Sequence, residues 1–167
     1  MAEESTKPKR SGMMGEADYR KGALDRIGES YILLRAEAFG GSAYLAGRGA
    51  EGALRAVLWK ADPQIQQGKK SLDTGHDLRR LLTNVRNLGL LRTGGPDDPL
   101  IAAVQRIARL WYNNMRFASS RAIETRWHQL GEVTGKRPIK QAASEFYDAC
   151  SAIIKRCEAL CQKSKMP

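Results

Sequence analysis

The sequence predicts an all-α protein, an up-and-down bundle of five helices or six, and three observations carry that reading. Apolar residues recur three and four positions apart over long stretches, the period of a helix with one buried face. No stretch alternates apolar with polar residues and no Asn-Gly hairpin turn occurs, so no strand is signalled. Segments rich in glycine and proline separate the periodic stretches, where helices end.

Residues 1–16 mix Lys, Glu, Ser, Gly and Pro without periodicity and read as a flexible tail, with Lys7-Pro8-Lys9-Arg10 as a small basic cluster. Residues 17–163 read as one helical domain. A first helix is expected from about Ala17 to Phe39, buried through Leu24, Ile27, Tyr31, Leu34 and Ala38. Gly40-Gly41-Ser42 should end it and start the next, making the two antiparallel neighbours. The second helix, Ser42 to Lys60, sets Ala43, Gly47, Ala50, Leu54, Val57 and Leu58 on its inner face. Glycine inside a helix costs about 1 kcal/mol relative to alanine, so Gly47 points to a tightly packed neighbour.

Asp62-Pro63 stops that helix, because the residue before a proline resists the helical region, and Asp62 to Asp73 reads as a polar loop. Thr74 is the expected N-cap of a third helix starting at Gly75, with Asp77 in the capping-box position. Its stripe is Leu78, Leu81, Leu82, Val85 and Leu88. After a loop at Arg92–Pro96, Asp97 or Asp98 should cap a fourth helix with Pro99 in its first turn. That helix should run toward Leu130, buried through Leu100, Val104, Ile107, Trp111 and Ala118, with a bend near Ala118-Ser119-Ser120. Gly131 to Pro138 is a loop. The last helix, Ile139 to Lys163, is buried through Ala142, Phe146, Cys150, Ile153, Cys157 and Leu160. Cys150, Cys157 and Cys161 share one helix without a C-x-x-C pair or a nearby His. They read as small buried hydrophobes rather than a disulfide framework or metal site, and no metal or cofactor is expected.

The formal net charge is +10 and the pI about 9.8. Such a balance suits a polyanionic partner, nucleic acid ahead of membrane, or an acidic protein; an Arg-rich solvated surface is the plain alternative. The first residues, MAEESTKPKRSG, lack the apolar core of a secretory signal. No run approaches the roughly 18–20 apolar residues that span a bilayer, so a cytoplasmic location off the membrane is expected. On the fourth helix Arg106, Arg109, Asn113, Arg116 and Ser120 step three and four apart into a basic stripe beside Trp111-Tyr112, suited to a phosphate backbone with stacking. Lys136, Arg137 and Lys140 would extend it.

Three features together resemble the HEPN domain family. They are A-E-x-x-L-[KR] as Ala50-Glu51-Gly52-Ala53-Leu54-Arg55, then Gly75-His76-Asp77-Leu78 opening a helix, then an Arg-aromatic pair, Arg116-Phe117, in a long helix. The likeness covers about Ala17 to Leu160, with Phe117 standing where such proteins often carry Tyr, so a hydroxyl is missing. The resemblance implies an all-α bundle, commonly a homodimer, in a family many of whose members work on RNA. Catalytic members are metal-independent endoribonucleases of defence or toxin–antitoxin systems, marked by R-x4–6-H. Here Arg121 and His128 match that spacing, with Ala122 where a polar residue is usual. In the implied chemistry Arg stabilises charge on the scissile phosphate and His acts as general acid or base. In an unbroken helix the two stand about 10 Å apart along the axis, so they would need a bend or a partner subunit. Glu51, His76 and Asp77 form the expected structural polar cluster, with Glu51 paired to Arg116 or His76; a phosphate at the helix start is the other reading of His76. The leading expectation is an RNA- or partner-binding module without catalysis. The alternatives are a ribonuclease using Arg121 and His128, and a structural subunit of a larger assembly.

Overall fold

α2 (Phe39–Ala61) is the axis around which the other helices pack. Of its residues Ala43, Ala46, Gly47, Ala50, Ala53 and Ala56 are all buried, so its inner surface is nearly flat and neighbours reach the backbone. The computed structural model describes residues 14–72, 75–91 and 99–163. The 1–13 tail, Thr74, the 92–96 loop and the Asp97/Asp98 cap lie outside the described residues. Around α2 stand α1 (Glu16–Arg35), α3 (Pro63–Gln66), α4 (Leu78–Asn87), α5 (Pro99–Leu110), a 3-10 turn (Asn113–Phe117), α6 (Ser120–Gln129) and α7 (Ile139–Lys163). The fold is an all-helical bundle, with no strand among the described residues beyond an isolated Thr134–Arg137 bridge. No described helix is long and apolar enough to cross a membrane.

Five boundaries or faces differ from expectation, each for a packing reason. Gly40 and Gly41 do not break the chain; they lie in the first turn of α2, and the reversal comes earlier at Ala36–Ala38, with Glu37 at φ +58°. A Cβ on Gly40 would sit 2.9 Å from Ile123 Cδ1 and 3.3 Å from Ser120 Oγ, so this glycine lets α6 press on the start of α2. The inner stripe of α1 is rotated by about one residue: Ala23 and Ser30 are buried, while Leu24 and Tyr31 face solvent. Small residues are needed there because the α1 backbone lies on α2. A Cβ on Gly49 would stand 3.1 Å from the Ala23 carbonyl oxygen. Ser30 satisfies its buried hydroxyl on the Ser42 carbonyl, 2.8 Å away.

In the 62–73 loop, Asp62 caps the short α3 by accepting from the Gln64 amide at 3.0 Å, with Pro63 at the first helical position. α4 begins at Leu78 rather than Gly75. Asp77 is itself the N-cap, accepting from the Arg79 and Arg80 amides at 2.9 and 3.1 Å. Gly75 and His76 precede it in left-handed conformations, φ +64° and +66°.

The long fourth helix does not exist as one element. α5 stops at Leu110, Tyr112 is extended, and the 3-10 turn intervenes before Ser119 caps α6 through the Ala122 amide. The break is longer and earlier than a bend at Ala118–Ser120. The break coincides with Trp111, whose indole lies directly over Gly47 and whose Nε1 donates to the Tyr44 carbonyl at 3.2 Å. The core is otherwise continuous, with Trp127 against Phe146 at 5.3 Å between ring centroids and with Cys150, Cys157 and Cys161 buried as free thiols. Burial pushes the Cys150 and Cys157 thiols well above their ordinary range.

Candidate nucleic-acid interface

The polar centre of α2 is Glu51, whose side chain is 3% exposed. A buried carboxylate needs full pairing, and two guanidiniums and an imidazole supply it from two elements. Arg55, one turn on, meets Oε1 through Nε at 2.9 Å and Nη2 at 2.7 Å. Arg48, one turn back, gives Nη1 to Oε2 at 2.7 Å. His76 brings Nδ1 to 2.9 Å of Oε1, with Arg48 Nη1 also 2.8 Å from that nitrogen. The left-handed backbone of Gly75 and His76 folds the imidazole back onto α2. Arg55 further donates to the Leu72 carbonyl at 3.1 Å, fastening the loop before α4. The expected Glu51–His76 pair is present; Arg116 is not part of it, and Arg48 and Arg55 take that place. Asp77 serves the α4 cap instead. The cluster lines a cleft of about 460 Å³ whose α1 wall includes Tyr19, Gly22 and Arg26.

The expected basic stripe is divided by the break after α5. Arg106 and Arg109 on α5 and Arg137 in the loop before α7 converge on Glu132 and Glu145. Arg106 bonds Glu145 at 2.9 Å, Arg137 bonds Glu132 at 2.8 Å, and Arg109 also meets Glu132. These three arginines join α5, the 131–138 loop and α7; much of their charge is met within the chain. Burial alone would push the Glu132 carboxyl up, but the Arg137 hydrogen bond and the charges of Arg106, Arg109 and Arg137 outweigh it and hold it below 4.5. The Arg106 hydrogen bond does the same for Glu145. A carboxyl depressed in the folded state stabilises above its unfolded value and loses that contribution as pH falls through the folded value. The melting temperature should therefore hold steady above about pH 5 and fall below 4.5. Glu132→Gln should flatten that fall, and at pH 7 should cost about 1 kcal/mol or roughly 3 °C. Melting curves across pH 3–7 check both; an unchanged acid limb in the variant would remove Glu132 from the account.

Of the remaining expected cations, Arg116 lies in the 3-10 turn, Arg121 on α6, Lys136 in the 131–138 loop and Lys140 on α7. The Arg116 guanidinium lies 4.6 Å from the Phe117 ring centroid, and Phe117 is 76% exposed. Arg126 lies 4.5 Å over the ring of Tyr112. Arg121 and His128 are exposed on α6, two turns apart on one unbroken helix. About 10 Å separates them along the axis, and the break precedes both, so the fold of one chain does not bring them together. Among the described residues Arg116, Arg121 and Arg126 form no ion pair. Lys136 is exposed on the 131–138 loop, and Lys140 pairs with Glu37 at 2.9 Å.

Two features were passed over in the sequence. The outer face of α4 carries Arg79, Arg80 and Arg86, all exposed, and its ten residues contain no acid; counting charge per helix reveals it. The exposure of Phe117 had no sequence signal, because its face is set by the 3-10 turn. No protein-family model, curated protein or solved structure matches the chain.

Proposed function

We propose that the chain is a HEPN-type helical module that binds RNA through the surface of the 3-10 turn and α6, in a defence or toxin–antitoxin-like setting. The observation that supports this most directly is Phe117, a large exposed ring with the Arg116 guanidinium over it, in a stretch whose arginines have no acidic partner among the described residues. Exposed aromatic rings accept unpaired bases, while unpaired guanidiniums meet phosphates and release counterions. Arg116, Arg121 and Arg126 take the phosphate role, Tyr112 and Phe117 the stacking role, and Lys136 extends the charge.

Binding without cleavage is the reading favoured by the separation of Arg121 from His128. Ribonuclease chemistry would need His128 of one copy beside Arg121 of another. The test is fluorescence anisotropy of a labelled single-stranded RNA over a potassium chloride series, with cleavage followed in EDTA. Wild type should bind with an affinity that falls steeply with salt. Phe117→Ala and Arg116→Ala should each weaken it about tenfold, from a stacking contribution of roughly 1–3 kcal/mol, with melting temperatures unchanged. His128→Ala should bind as wild type does. Cleavage lost in His128→Ala would replace this reading with the ribonuclease. Absence of RNA binding at low salt would leave a structural or protein-binding role.

A further inference from the structure

α4 is sharply divided by charge. At about 100° per residue, Leu78, Leu81, Leu82 and Val85 fall in one arc of roughly 100°, and all four are buried. The opposite arc, of about 160°, carries Arg86, Arg79, Thr83, Asn87, Arg80 and Asn84 in that angular order. Arg79, Arg80 and Arg86 are exposed, and among the described residues none of the three forms an ion pair. The nearest acid in sequence, Asp77, is engaged at the N-cap by the Arg79 and Arg80 amides.

Three positive charges on a helix without an acid call for a polyanion, and the neutral side chains between them narrow the class. Protein interfaces have an apolar core depleted of charge, and none of these six side chains is apolar. A membrane takes up the apolar face of a helix, but that face of α4 is buried in the core. A phosphate backbone needs neither. Arg, Thr and Asn are among the side chains that position nucleic acids through phosphate and sugar oxygens. α4 carries no aromatic ring to stack an unpaired base. Duplex RNA is held through phosphates and 2′-hydroxyls, largely without base readout, so the face suits a stem rather than a single strand.

α4 and the 3-10 turn also lie on one side of α2. Gly40, Gly47 and Glu51 fall within about 40° of one another around that helix. Ile123 of α6 packs over Gly40, Trp111 over Gly47, and His76 meets Glu51. The 3-10 turn starts at Asn113 and α4 at Leu78, each two residues beyond its anchor. On α2 the anchoring positions Gly47 and Glu51 are about 6 Å apart along the axis, so one RNA can reach both surfaces. Resting on RNA binding at the 3-10 turn, we propose that the outer face of α4 holds the backbone of a duplex stem whose unpaired extension lies on Arg116 and Phe117.

The test is fluorescence anisotropy of three labelled RNAs over a potassium chloride series: a blunt duplex, a single-stranded tail alone, and the duplex carrying that tail. Wild type should bind the tailed duplex at least about tenfold more tightly than either part. Arg79→Ala, Arg80→Ala and Arg86→Ala together should weaken the blunt and tailed duplexes about tenfold and lower the salt slope by about three. The tail alone should bind this triple variant almost as well as wild type, and the melting temperature should hold because the three side chains are exposed. A control that removes three exposed cations on α1 and α7, Arg35→Ala, Lys155→Ala and Lys163→Ala together, should keep the duplex affinity. Phe117→Ala should release the tail and spare the blunt duplex. An equal loss in the control, or a tailed duplex no tighter than the tail, would overturn the proposal. So would a blunt duplex that fails to bind at low salt, which would leave the face to an acidic protein. If tail binding survives Phe117→Ala while the triple variant still releases the blunt duplex, the α4 contact stands and the Phe117 surface falls.

Discussion

Gly47→Ala is expected to lower stability by about 3 kcal/mol, at the upper end of the usual overpacking cost, and the melting temperature by roughly 10 °C. A methyl there would lie 2.2 Å from Trp111 Cδ1 and 2.3 Å from its Nε1. The indole cannot simply tilt aside, because Nε1 is bonded to the Tyr44 carbonyl and the ring is almost fully buried. On helix propensity alone the substitution would gain up to about 1 kcal/mol. The sign of the effect therefore depends on Trp111. In a Trp111→Ala background, itself costing about 3–5 kcal/mol, Gly47→Ala should become neutral or stabilising. Urea denaturation of the four proteins in this cycle measures the coupling. Equal costs in both backgrounds would show that the two residues do not constrain each other, and that the break after α5 has another origin.

Glu51→Ala is expected to cost about 3–5 kcal/mol, the range for removing one partner of a buried ion pair. Arg55, with a side chain 13% exposed, would keep its charge without its carboxylate partner among the described residues, and Arg48 and His76 would lose their common partner. Glu51→Gln keeps an acceptor oxygen for Arg55 and should lose about half as much. His76→Ala leaves both arginine pairs in place and should cost about 1 kcal/mol. Denaturation midpoints give this order directly. Limited proteolysis adds a local readout, since Arg55 ties the loop at Leu72 and His76 ties the turn before α4. If Glu51→Ala melts within a degree or two of wild type, the cluster does not hold α4 to α2. The cleft beside it would then be a surface groove rather than a fixed wall.

Residue spacing alone marked the longer helices other than the fourth, and most of what they bury. The three-and-four spacing of Leu78, Leu81, Leu82 and Val85, or of Ala142, Phe146, Cys150 and Ile153, depends only on helix geometry, and each of these residues is buried as the spacing requires. The pairing of Glu51 with His76 was legible for a similar reason: a carboxylate on a packing face must find a partner, and the chain has only two histidines. Packing between distant segments set the outcome wherever glycine meets a large side chain from far along the chain. Gly40 and Gly41 look like a helix end in sequence, yet Ile123, eighty residues away, makes Gly40 a contact point inside α2. Trp111 fits a helical stripe, yet α5 ends beside its seat on Gly47, and the basic stripe is divided between a salt-linked cluster and an exposed Arg–aromatic surface. Local periodicity fixes which residues want to be inside. Close approach between helices fixes where the backbone must bend to let them in, and that depends on atoms the local pattern does not contain.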